Sequence, residues 1–69
     1  MEFKWEDGFT INVNIDGSTT IISANKEGLI SLANHLVALS KEAPGYHFHL
    51  DEYNSLEDNS SELIIVRIE

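Results

Sequence analysis

Only one stretch of this sequence repeats its apolar side chains with a helical period, and on either side of it the period is two. Leu29, Leu32, Ala33 and Leu36 recur at helical spacing, and Ile30, Val37 and Leu39 widen the stripe. Asn25 is a favoured N-cap, because its side-chain oxygen can take an orphan backbone N–H, and Glu27 places negative charge in the first turn. Pro44-Gly45 cannot continue the helix, so its end falls near Glu42. With a single helix available, the flanking strands must share it as their cover. Leu36, in the middle of the stripe, is expected to be a core residue whose truncation to alanine costs ~2–5 kcal/mol.

The strands are legible from alternation. Phe9, Ile11, Val13 and Ile15 fall on one face, with Thr10, Asn12 and Asn14 on the other. Asp16-Gly17 then reads as the central pair of a hairpin turn, where positive φ must be tolerated, and Thr19 to Ser23 returns. Tyr46, Phe48 and Leu50 alternate with His47, His49 and Asp51 in a third strand. Leu63 to Ile68 makes a fourth, apolar on both faces apart from Arg67 and therefore expected at the centre of the sheet or covered on both sides. Phe3-Lys4-Trp5 is a further short candidate, and Trp5 is expected to cap the core. The order ββαββ predicts an α+β fold, a four-stranded and mainly antiparallel sheet with the helix packed on one face. The opposite face would then be open and polar, carrying Thr10, Asn12 and Asn14 beside His47, His49 and Asp51.

The 69 residues suit a single domain over 1–69, and a chain of this length buries only ~60% of its unfolded surface. There is no cysteine, which rules out disulfides and thiolate metal sites. The opening Met1–Glu6 lacks the profile of a signal peptide, and no run approaches the ~20 apolar residues of a membrane span. A cytoplasmic location is therefore expected. Twelve acids against 4 bases leave a net charge of -8. Such a surface repels nucleic acid and anionic membranes and attracts a basic partner, although acidity also serves solubility alone.

His47-Phe48-His49-Leu50-Asp51 is the most suggestive local constellation. On a strand its two imidazoles and carboxylate project to one side, a set that could ligate zinc or iron. His-x-His without a third ligand at informative spacing is more simply a solvated polar face, and no metal or other cofactor is assigned. His35, next to Asn34 in the helix, is read as a boundary residue with a satisfied hydrogen bond. The acidic run Asp51-Glu52-Tyr53-Asn54-Ser55-Leu56-Glu57-Asp58 reads as a solvated loop. In a sharper reading it is a recognition loop, in which carboxylates meet lysines or arginines and Tyr53 anchors. Its oxygens lack EF-hand spacing. There is no phosphate-cradling glycine loop, and enclosing a substrate pocket would hollow out so thin a core, so the chain is not expected to be an enzyme.

The segment Asn25-Lys26-Glu27-Gly28-Leu29-Ile30-Ser31-Leu32-Ala33-Asn34-His35-Leu36, followed by Gly45-Tyr46-His47-Phe48-His49-Leu50-Asp51, resembles the bacterial family of immunity protein 32. With the last strand and its preceding loop, the resemblance covers more than half of the chain. It implies an inhibitor, without catalysis of its own, that binds and neutralises the cognate secreted toxin. Tyr46, His47, His49 and Asp51 are the family-like positions. Charge adds that the toxin would be basic, as a nuclease with a phosphate-binding cleft is. The candidate partner-binding residues are His47, His49, Asp51, Glu52, Tyr53, Glu57 and Asp58. A small metal-binding protein using His47, His49 and Asp51 is the alternative. So is a general interaction or dimerisation module, and homodimerisation does not exclude toxin binding.

Overall fold

The hairpin forms as its alternation requires. In the computed structural model, which describes residues 2–69, β1 (Ile11–Asp16) pairs antiparallel with β2 (Thr19–Ala24), Ile11 opposite Ala24 and Asp16 opposite Thr19. That register puts Gly17 and Ser18 at the centre of the turn, one residue later than expected. Only Gly17 has positive φ (63°), and glycine at the first central position is the requirement of a type II′ turn. Helix α1 (Lys26–Ser40) follows, then β3 (His47–Leu50) and β4 (Leu63–Val66), which pair antiparallel with His47 opposite Val66. Residues 3–5 form no strand.

The fold is α+β, but the four strands do not make one sheet. They form two separate two-stranded sheets, β1-β2 and β3-β4. The reason lies at the outer edge of β1. The N–H groups of Glu57 and Ser61 donate to the carbonyls of Ile11 (2.9 Å) and Val13 (2.8 Å), while the Val13 N–H donates to Ser60 Oγ (3.2 Å). The loop before β4 therefore occupies the backbone groups on which a neighbouring strand would have paired. β4 is consequently neither central nor covered on both sides. Ile65 and Leu63 face inward, while Ile64 and Val66 are 47% and 49% exposed.

The helix also presents a different face from the one its large aliphatic residues suggest. Its buried positions are Gly28, Ser31, His35 and Leu39, while Leu36 is 47% exposed and Leu29, Ile30 and Val37 likewise face outward. Gly28 explains the choice. A Cβ there would lie 2.4 Å from the Thr10 carbonyl oxygen and 3.0 Å from both Ala24 Cβ and Ile11 Cγ1, so the helix meets the hairpin where only hydrogen fits. Leu39 joins Ile11, Val13, Phe48, Leu50 and Leu56 in the core, with Trp5, Phe9, Ala24, Leu32, Leu63 and Ile65 packed around it.

Polar side chains fasten the helix at both ends. Asn25 Oδ1 accepts from the N–H groups of Gly28 (2.8 Å) and Thr10 (3.0 Å), and its Nδ2 donates to the Gly8 carbonyl (2.9 Å). The N-cap thus ties the helix to the hairpin as well as satisfying an orphan donor. At the other end α1 has no basic residue in its last turn. Arg67 reaches across instead, its Nη1 donating to the carbonyls of Ser40 (3.2 Å) and Glu42. A cation on the last carbonyls suits the negative end of the helix dipole.

His35 is enclosed completely rather than placed at a boundary. Its ring lies 4.1 Å from that of Trp5, 4.4 Å from Phe3 and 5.6 Å from Phe48, centroid to centroid. Nδ1 donates to the Ser31 carbonyl one turn earlier (2.5 Å), and Nε2 has no partner among the described residues. Burial pushes its pKa below the ordinary value of 6.5, and the bond to Ser31 offsets only part of that shift. Trp5 stacks on Phe9 at 4.5 Å and closes this end of the core, as expected.

Candidate functional site

β3 and the loop after it carry every residue singled out for partner binding. Phe48 and Leu50 turn into the core, so His47 and His49 must turn out, and both are exposed. Their rings stand edge to face with centroids 5.0 Å apart. Across the ladder they pair with Val66 and Ile64, so the outer face of this small sheet interleaves imidazoles with β-branched aliphatics. His47 Nδ1 donates to the Gly45 carbonyl (3.2 Å), and His49 Nδ1 lies 3.5 Å from Glu62 Oε2 at a half-exposed position.

Asp51 does not join this face. The strand ends at Leu50, and Asp51 Oδ1 accepts from the N–H groups of Tyr53 (2.9 Å) and Asn54 (3.1 Å), the geometry of an Asx turn. The set His47, His49 and Asp51 is therefore not assembled. No group of three potential ligands stands close enough to hold a metal ion among the described residues. Nor do Thr10, Asn12 and Asn14 share a sheet face with the histidines, because the two strands lie in separate sheets.

The acidic run is an ordered turn of chain. The Asp51 carbonyl accepts from the N–H groups of Asn54, Ser55 and Leu56, the last at 2.8 Å. Asn54 Oδ1 accepts from the Asp51 N–H (3.0 Å) while its Nδ2 donates to the His49 carbonyl (3.3 Å). Glu52 Oε2 takes the N–H of Asn59, the one described residue other than glycine with positive φ (68°). Leu56 drops into the core and pins the loop, whereas Tyr53 is 89% exposed. Glu57 and Asp58 are exposed to solvent within the segment whose backbone seals β1.

Two features here escape residue-by-residue reading. Arg67 is the helix cap, although it sits 25 residues beyond the Glu42 carbonyl it reaches. Leu56 is a core residue, and its only signal is that it is a lone large aliphatic in a polar stretch. No helix of the described residues is long and apolar enough to cross a membrane.

A family model described as immunity protein 32 matches residues 19–68, which takes in β2, the helix, the acidic loop and the whole of the second sheet. No curated protein and no solved structure matches the chain. Because the match spans well over half of the sequence and includes the Gly45–Asp51 segment together with the helix before it, the chain belongs to the immunity protein 32 family.

Proposed function

We propose that this protein neutralises a cognate secreted toxin in the cytoplasm by binding it directly, without catalysing a reaction. Family membership supports an inhibitor of this kind. The observation that carries the choice of surface is the charge of the loop. Residues 51–62 hold five carboxylates, Asp51, Glu52, Glu57, Asp58 and Glu62, and no lysine or arginine. They are displayed on a chain segment whose backbone is hydrogen-bonded to itself and to β1, so little order remains to be imposed when a partner docks. A basic toxin meets this loop favourably, a nuclease cleft being one example, with Tyr53 as the exposed aromatic anchor and His47 and His49 alongside.

The test is co-expression with the toxin encoded beside this protein. Survival of the cells and recovery of a stoichiometric complex are expected; cell death with no complex in pull-down defeats the reading. Glu57→Lys with Asp58→Lys then probes the surface, since neither side chain supports the loop. Association at low salt should slow by about tenfold while thermal stability holds. Unchanged kinetics in the double variant would remove the loop from the interface.

A further inference from the structure

Among the described residues the outward face of α1 is an exposed apolar stripe. Leu29, Ile30, Ala33, Leu36 and Val37 are all exposed. At about 100° per residue they span an arc of roughly 120° centred on Ala33, on the far side of the helix from Gly28, Ser31, His35 and Leu39. Along the axis the stripe is symmetric as well. Leu29 and Ile30 precede Ala33 by four and three residues, and Leu36 and Val37 follow it by three and four. A pattern that reads the same from both ends of the helix is what a self-complementary contact about a two-fold axis requires.

We propose that the protein forms a homodimer in which α1 packs antiparallel against α1 of a second copy, with the two-fold axis passing beside Ala33. The small residue at the centre lets the helices approach closely. Leu29 then packs on Leu36 of the partner subunit, and Ile30 on Val37 of the partner subunit. Charge selects a second copy over the basic toxin. Residues 26–42 contain Lys26 and Lys41 against Glu27 and Glu42, so they carry no net charge and the entire -8 lies elsewhere. Two copies that repel one another over the rest of their surfaces can approach here. A basic partner gains little at this stripe, because none of its five side chains is charged and the carboxylates at its ends, Glu27 and Glu42, are matched by Lys26 and Lys41. Antiparallel packing also opposes the two helix dipoles.

This dimer is independent of toxin binding and is tested on the protein alone. Light scattering and sedimentation between ~1 and ~100 µM should show reversible dimerisation. Ala33→Arg sets two like charges against each other on the axis and should weaken the dimer by more than ~30-fold, with the circular dichroism of a folded chain retained. The sequence has no cysteine, so Ala33→Cys gives a unique thiol, close enough to its symmetry mate for a disulfide under mild oxidation. It should cross-link far faster than Ser18→Cys at the hairpin tip. A mixture of Leu29→Cys and Leu36→Cys chains should form the mixed disulfide in preference to either symmetric one. A monomer throughout the concentration range overturns the proposal and leaves the stripe to a different protein. A dimer in which Ala33→Cys cross-links no faster than Ser18→Cys overturns it too, and a preference for the symmetric disulfides overturns the antiparallel arrangement.

Discussion

Gly28→Ala opposes two effects of known sign. In a helix interior alanine is favoured over glycine by about 1 kcal/mol, so on propensity alone the variant is more stable. Packing says the reverse. The new Cβ would sit 2.4 Å from the Thr10 oxygen, and reaching ordinary contact at 3.4 Å requires the helix and strand to part by about 1 Å. That movement is resisted, because the Asn25 N–H donates to the same oxygen (3.2 Å) and Asn25 Oδ1 holds the Thr10 N–H (3.0 Å). Overpacking against a backbone atom belongs at the upper end of the 1–3 kcal/mol range, roughly 3, which leaves a net loss of about 2 kcal/mol. For a chain of this length the melting temperature should fall by about 8–16 °C. Thermal and urea unfolding followed by far-UV circular dichroism measure it directly, with Ala33→Gly on the outer face, read at concentrations where the protein is monomeric, as the propensity-only control, expected to lose about 1 kcal/mol. A Gly28→Ala protein as stable as the parent would refute the claim that close approach at residue 28 decides which face of the helix turns inward.

Leu36→Ala should cost less than about 1 kcal/mol in the monomer, whereas Leu39→Ala should cost about 2–5 kcal/mol; equal losses in urea unfolding would contradict the assigned faces. His35 has a depressed pKa in the folded state, so the unfolded chain takes up the proton first. Stability is complete above about pH 6.5 and declines as pH falls below it toward the lowered folded value, by at most about 1.4 kcal/mol per pH unit. His35→Phe should lose that share of the pH dependence, and a parental slope between about pH 7 and 5.5 would show that His35 does not supply it. Arg67→Ala removes charge-assisted bonds to the helix C-terminus and should cost about 1.5–3 kcal/mol, with faster amide exchange confined to the last turn of α1 and the chain beyond it. Exchange that is unchanged there would deny Arg67 its capping role.

Local chemistry was legible in the sequence wherever a residue acts on its own neighbourhood. Asn25 caps the helix, Pro44-Gly45 lies beyond its end, and Phe48 and Leu50 alternate inward against His47 and His49. What failed was apolarity used as a compass for the helix. Its largest aliphatics form the outer stripe, and a glycine, a serine and a histidine form much of the inner one, because tight contact with the hairpin and an aromatic enclosure around His35 set the inward face. The single sheet failed for a related reason. Whether two hairpins join depends on what satisfies the edge of β1, and that turned on Glu57, Ser60 and Ser61, loop residues with no strand signal. At the candidate site, the outward histidines and the acidity of the loop were readable. The diversion of Asp51 into its own turn was not, since it depends on where β3 ends.

The loop from Asp51 to Ser61 therefore has two kinds of residue with separable duties. Leu56 holds it to the core, the backbone of Glu57 and Ser61 seals β1, and the carboxylates of Asp51 and Glu52 each accept backbone N–H groups within it. Asp51 and Glu52 trade charge against structure, and reversing them would confound lost attraction with a loosened loop. Glu57 and Asp58 contribute side-chain charge alone, on a backbone that is already fixed. A surface that must meet a positively charged partner quickly gains most from charges of this second kind, because they add attraction at a distance and demand no ordering on contact. Residues 51–62 gather five carboxylates with no lysine or arginine among them, so under the proposed function this is where the negative charge of the chain does most for recognition.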